Sequence, residues 1–207
     1  VIGFHGQTVI HRPRLGITVQ VGDGAALARR LRIRVVSDMR ANDVAQGGQG
    51  APLVPVFHRA LAEAAGFAGP LGILNIGGLA NVTLIDSSGA MLAFDTGPGN
   101  GPINDWPNSL RRSWCSHRLA GYLTIEDGAA TLTAFSAHAI ARSLAFARER
   151  PTRWIVGGGG AKNRTLMAML ERLLDAEVMN ADAIGWSSDF LEAQAFGYLA
   201  LRALEVL

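Results

Sequence analysis

Met91-Leu92-Ala93-Phe94-Asp95-Thr96-Gly97-Pro98-Gly99-Asn100 is the stretch on which the fold turns. Met91 to Phe94 is an apolar run of strand character, and the glycines and proline after Asp95 predict that the strand stops there. The Asp95 carboxylate is then expected at the mouth of a sheet. In α/β sheets ligands collect at the carboxyl ends of strands. Gly97 and Gly99 let main chain come close to a ligand, and Asn100 adds a donor and an acceptor without charge. The same residues are also ordinary turn chemistry, in which Asp95 only caps the turn.

The chain has 207 residues, enough for one large domain or two small ones. With 49% hydrophobic and 17% charged residues it is not a disordered chain. A net charge of +2 with scattered arginines argues against a nucleic-acid partner. Cys115 is the only cysteine, which excludes an internal disulfide and a cysteine-rich metal site. No apolar run is long enough to span a bilayer and no signal peptide is read, so the expectation is no membrane partner and a cytoplasmic location. The chain opens at Val1 inside a strand-like run, which is read as the loss of the amino-terminal part of a larger protein.

Before the central stretch, His5-Gly6-Gln7-Thr8 offers His5 and Gln7 as mixed donors and acceptors for a polyol, or forms a plain strand-to-loop junction. His5 and His11 lack the helical spacing of a zinc pair. Ile17 to Val21 alternates as a half-buried strand, and Asp23 is placed to cap a helix over Ala25 to Leu31. Ile33 to Val36 reads as another strand. Ser37 to Gly50 has no apolar periodicity and is expected to be a polar, glycine-rich loop leading to a helix from about Pro52 to Ala65. Asp38, Arg40 and Asp43 are its charged candidates, for ligand contact or for a local Asp–Arg network. Leu71 to Ile85 reads as two strands joined at Gly77-Gly78, with Asn75 and Asn81 flanking the turn. Such a turn either presents N–H groups to phosphate or simply closes a hairpin.

After it, residues from Pro107 to Arg118 show no helical or strand period. Leu132, Phe135, Ala139, Ile140 and Leu144 form a core-facing stripe of a helix over Ala129 to about Arg148, with His138 exposed or packed. Trp154-Ile155-Val156 is a buried strand entering Gly157-Gly158-Gly159-Gly160-Ala161-Lys162-Asn163, where main chain can lie against a nucleotide or make a tight strand–helix turn. Glu192 follows Asp189 at capping-box spacing.

His5-Gly6-Gln7-Thr8, the segment Asp38 to Pro55, Asn75 to Asn81 and Phe94 to Asn100 come in the order and spacing of anhydro-N-acetylmuramic acid kinase, and the chain resembles that family. The resemblance implies α/β architecture of the actin-like ATPase (ribonuclease H-like) type, two lobes closing on ATP, with the first lobe incomplete. It implies an ATP- and Mg2+-dependent enzyme of peptidoglycan recycling that opens 1,6-anhydro-N-acetylmuramic acid with water and phosphorylates O6, its partners being the sugar and a second copy in a homodimer. Asp95 matches the base that activates water. Asn75, Gly77, Gly78, Asn81, Gly157, Gly158, Gly159 and Asn163 fall on nucleotide-binding segments, and His5, Gln7, Asp38, Asp43, Gly97, Asn100 and Glu192 on the sugar side. No metal ligand is assigned. On this reading 1–106 is the remainder of the first lobe with substrate and phosphate loops, 107–128 an atypical junction, and 129–207 the second-lobe nucleotide-binding part. The family's first phosphate loop would precede Val1, its Pro-Lys-Ser-Thr-Gly-Arg-Glu-like segment is missing between Pro107 and Ile125, and its tail beyond Leu207 is absent. Two other readings stay open: a non-catalytic remnant that binds sugar or nucleotide, and an α/β enzyme with Asp38 or Asp43 as its base.

Overall fold

The alternation at Ile17–Val21 is a strand in the computed structural model, which describes residues 1–104 and 123–205. The atypical stretch from Pro107 therefore lies outside the described residues as far as residue 122. Two units are distinguished: Val1–Leu61 with the chain from Phe190 onward, and the described residues of Ala62–Asp189.

In the first unit β1 (Ile2–Gly3) pairs in parallel with β4 (Val35–Val36), and β2 (Gln7–Arg12) pairs antiparallel with β3 (Ile17–Val21). Gln7 and Thr8 thus begin a strand rather than a loop. α1 (Gly24–Leu31) starts at Asp23, whose Oδ1 accepts from the Ala26 N–H at 2.7 Å, as its capping residue type predicts. The polar segment after β4 is not all loop: α2 (Met39–Ala45) forms within it. Only Val44 of that helix is buried, and one apolar contact in seven residues leaves no period to read. α3 (Pro55–Ala64) follows.

The second unit is built on a five-stranded sheet. β5 (Leu71–Ile76), β6 (Leu79–Ile85) and β7 (Met91–Pro98) form an antiparallel meander; the short α4 (Gly101–Asn104) follows, and α5 (Ile125–Ala141) leads toward β8 (Arg153–Gly157). α6 (Arg164–Leu174) and β9 (Glu177–Asn180) complete it, in the order β7-β6-β5-β8-β9, with β8 parallel to both β5 and β9. Residues 62–104, grouped with the first lobe on sequence, pack here with 123–189. The parallel β5–β8 pairing responsible joins residues some eighty apart, a link that local pattern does not carry. α7 (Leu191–Glu205) returns to the first unit, where Gly3 lies so close to the Phe196 carbonyl that a Cβ has no room.

One face of the sheet, Leu74, Ile76, Ala80, Val82 and Leu84, is sealed by Ala137 and Ile140 of α5 and by Leu166, Leu170 and Leu174 of α6. Each fully buried large aliphatic contributes roughly 1.5–3 kcal/mol. Gly72, paired with Trp154, leaves room for the indole that packs where its Cβ would be. Among the described residues no helix is long and apolar enough to cross a membrane.

His58 of α3 is 2% exposed, and burial pushes its imidazole down to about 4. The unfolded imidazole titrates near 6.5, so between those values the unfolded chain binds a proton that the folded chain does not. Stability is thus full above about pH 6.5 and falls as pH drops toward about 4. The expected loss is on the order of 3 kcal/mol at about 1.4 kcal/mol per pH unit. Urea denaturation across this range should show a slope that His58→Gln flattens; equal slopes in both proteins would contradict the assignment.

Candidate active site

Because β7 and β5 both run antiparallel to β6, and β8 and β9 run parallel to β5, four strand carboxyl ends share one edge of the sheet. Asp95 is near that edge but not beyond the strand: β7 continues to Pro98. Two features allow this. β7 is an edge strand, where a proline removes no needed ladder donor. The register also shifts, from Asp95 opposite Asn81 to Gly97 opposite Ala80, so Thr96 is the extra residue of a bulge and Gly97 takes φ +135°, which favours glycine. The Thr96 hydroxyl fastens the bulge by donating to the Ala80 carbonyl at 3.2 Å.

The register then makes a row. Asp95 faces Asn81, Asn81 faces Asn75, and Asn75 is paired with Gly157. Directly opposed residues share a face, so carboxylate and two amides line up, with Asp95 about 10 Å from Asn75 at the usual strand spacing. Asp95 is exposed and both asparagines are half-buried.

Three loops close over the edge. The Gly77 N–H donates to the Leu79 carbonyl at 3.0 Å, closing the hairpin. The turn presents carbonyls to its neighbour: Gly77 O accepts from the Asn100 N–H at 2.8 Å, and Gly78 O from the Gly99 N–H at 2.9 Å. Gly99 is so near the Gly77 carbonyl that no side chain fits. In the third loop the Gly158 N–H donates to the Ser188 carbonyl at 2.9 Å, and the Asn163 side chain joins Asn100. Gly78 and Gly159 are exposed, with open space where a Cβ would project. These are the points where a ligand can approach main chain.

Several fastenings were not singled out from sequence. Ser136, buried inside the apolar stripe of α5, donates its hydroxyl to the Gly99 carbonyl at 2.9 Å. Asp182 accepts from the Ser188 hydroxyl at 2.6 Å and N–H at 2.9 Å, and the hydroxyl holds its carboxyl below the ordinary range. Lys162 donates to both oxygens of Asp189 at 2.9 and 2.8 Å, a bond that raises the ammonium pKa. Ser136 could have been noticed as a small polar residue on a core face. Asp182 and Ser188 carried no local signal.

His5, Gln7, Asp38, Asp43 and Glu192 lie in the first unit. His5 Nε2 accepts from Arg40 Nε at 2.7 Å, so its proton sits on Nδ1, which donates to the Gly6 carbonyl at 2.6 Å. Both ring nitrogens are thus engaged within the chain. Arg40 also donates to the Gly50 carbonyl at 2.8 Å and lies over the Phe196 ring. Desolvation lowers its pKa, partly offset by the Glu192 charge. The expected Asp–Arg network is replaced by Arg40 with His5 and by Asp43 with main chain: Asp43 Oδ2 accepts from the Gly50 N–H at 2.7 Å. Asp38, at φ +58°, accepts from the Ser37 hydroxyl at 2.9 Å. Gln7 and Glu192 are exposed. Among the described residues no group of three or more His, Cys, Asp or Glu could hold a metal.

Residues 1–115 and 108–207 match the family model described as anhydro-N-acetylmuramic acid kinase. The chain belongs to the anhydro-N-acetylmuramic acid kinase family. It is similar to the proteins of that name from Methylorubrum populi, at 76% identity, and Methylorubrum extorquens, at 73%, each over 100% of this chain. The chain spans 65% of the length of these curated relatives. The alignments run over 246 positions against 207 residues here, so the relatives carry internal sequence that this chain lacks. The two family matches meet at 108–115, inside the stretch that breaks the pattern. A solved structure, the activator of 2-hydroxyisocaproyl-CoA dehydratase from Clostridium difficile with bound ADPNP, aligns at TM-score 0.50 and 17% identity, over 100% of this chain and 98% of that one. The likeness concerns the fold alone. That fold is α/β of the actin-like ATPase type, incomplete relative to the full-length family members.

The Asp43 bond gives a local prediction. Asp43→Ala removes the acceptor of a buried N–H, for a loss of about 1 kcal/mol, and should speed amide exchange at Gly50. Asp43→Asn keeps an oxygen and should preserve most of the protection. Unchanged exchange at Gly50 in the alanine variant would contradict this role.

Proposed function

We propose that this chain carries the catalytic sheet of an ATP-dependent kinase that opens 1,6-anhydro-N-acetylmuramic acid and yields N-acetylmuramic acid 6-phosphate in peptidoglycan recycling. The observation that carries the reading is the in-register row Asp95–Asn81–Asn75–Gly157, which sets one exposed carboxylate across the sheet from a glycine loop. Asp95 takes a proton from water as the water oxygen bonds the anomeric carbon. The bond from that carbon to O6 breaks, O6 takes the γ-phosphoryl group, and ADP leaves with the electrons of the broken phosphoanhydride bond. A single oriented base is sufficient for the first part, and positioning governs the second.

Gly157, Gly158 and Gly159, with the Gly77-Gly78 turn, seat the nucleotide main chain to phosphate. Mg2+, when bound, offsets phosphate charge. Its need for only one or two carboxylates besides phosphate oxygens fits a donor set that, among the described residues, includes no protein-only cage. Asn81 stands between base and nucleotide and orients the water or the transferring group. In the first unit Gln7, Asp38 and Glu192 are the sugar-side candidates that the family resemblance implies, and His5 and Asp43 stiffen their own segment through Arg40 and Gly50. A cytoplasmic location and a second copy as partner are what the family resemblance implies. The alternative, a remnant that binds nucleotide or sugar without turnover, is favoured by one observation, the internal sequence of the relatives that this chain lacks.

The test is ATP-dependent phosphorylation of anhydro-N-acetylmuramic acid by the purified chain beside Asp95→Asn, following ADP and sugar phosphate. Turnover should fall at least a hundredfold in the variant, the scale of a lost general base. Equal turnover in both would remove Asp95 from the mechanism. No product from a folded chain that still binds ADP would establish the remnant.

A further inference from the structure

Asn100 and Asn163 look, as sequence, like two separate ligand contacts. Their geometry is different. Asn100 is 8% exposed, its N–H is held by the Gly77 carbonyl, and its Oδ1 accepts from Asn163 Nδ2 at 3.0 Å. Asn163 uses its other end as well: Oδ1 accepts from the Leu166 N–H at 3.1 Å, capping α6, while its own N–H donates to the Gly160 carbonyl at 3.0 Å. Each amide is thereby anchored to a different loop, Asn100 to the segment after β7 and Asn163 to the glycine loop after β8. The strands bearing those loops are separated by β6 and β5.

We propose that Asn100 and Asn163 are positioning residues: their amide–amide bond is a clasp that couples the nucleotide loop 157–163 to the segment carrying Asp95. The inference rests on the nucleotide reading of that loop. Seating a nucleotide fixes the loop, the loop fixes Asn163, and the clasp holds Asn100 and, five residues back, the carboxylate. A residue touching nucleotide directly would act alone. Two halves of one clasp act together, since removing either removes the same bond.

The test uses the 207-residue chain, with Asn100→Ala, Asn163→Ser, which keeps a helix cap but is too short to reach, and the double variant. Asn100→Asp, which keeps the acceptor oxygen, is the rescue. ADP affinity is measured by calorimetry, and amide exchange at Gly159–Asn163 without nucleotide. Each single variant should bind ADP about tenfold more weakly, the scale of coupling between contacting residues. The double should be no weaker than the poorer single, and Asn100→Asp should bind within about twofold of wild type on the same scale. Asn100→Ala should also speed exchange at Gly159–Asn163, sixty residues away in sequence. Multiplying effects in the double, failed rescue, or unchanged exchange would overturn the clasp. A wild-type chain that binds no ADP would instead overturn the nucleotide reading, and the exchange comparison would then decide the clasp alone.

Discussion

The register of β5 is the constraint from which the rest of the second unit follows. β5 is hydrogen-bonded on both sides, antiparallel to β6 and parallel to β8, and its pairings place Asn75 between Asn81 and Gly157. A slip of one residue would carry Asn75 to the opposite face and Leu74 and Ile76 out of the core. The aliphatic face that excludes water and the polar row through Asp95, Asn81 and Asn75 are therefore two sides of one register. Burial of Leu74 and Ile76, each 0% exposed, fixes where Asn75 points. The polar row on this sheet is held in place by packing.

Much of this frame was legible because it is local. Asp23 as a cap, the Gly77-Gly78 turn and the strand into Gly157 are each decided within about ten residues. The stripe read on α5 holds only in part: Ile140 is buried, but Phe135 is 55% exposed and the buried face runs through Thr133, Ser136 and Ala137. What was not legible depends on partners far away. The end of β7 was misread because glycine and proline normally stop a strand; only the edge position and the bulge at Thr96 make Gly97 and Pro98 acceptable there. α2 was missed because its single buried residue gives no period. The row through Asp95, Asn81 and Asn75 needs two registers and a bulge, none of which is written in spacing. The candidate residues were found individually, and their arrangement was not.

The first unit shows how polar chemistry is stiffened before it meets any ligand. Arg40 donates to His5 and to the Gly50 carbonyl, and Asp43 takes the Gly50 N–H, so one glycine is held from both its polar groups. Gly48 leaves no room for a Cβ beside the Asp43 carboxylate, which accounts for glycine in a segment whose composition alone suggested an open loop. Family membership adds constraint of a different kind: relatives match this chain at high identity yet carry further internal sequence, and the two family matches overlap at 108–115.

As proposed above, the turn at Gly77-Gly78 and the loop after β8 form one nucleotide site at the carboxyl edge of the sheet, and the Asn100–Asn163 bond carries its occupancy to the segment Gly99-Asn100. The most direct measurement is an amide-resolved NMR titration of the isotopically labelled chain with ADP. The account predicts that resonances of all three segments shift together on one binding curve. Shifts confined to one segment, or centred away from this edge, would contradict it.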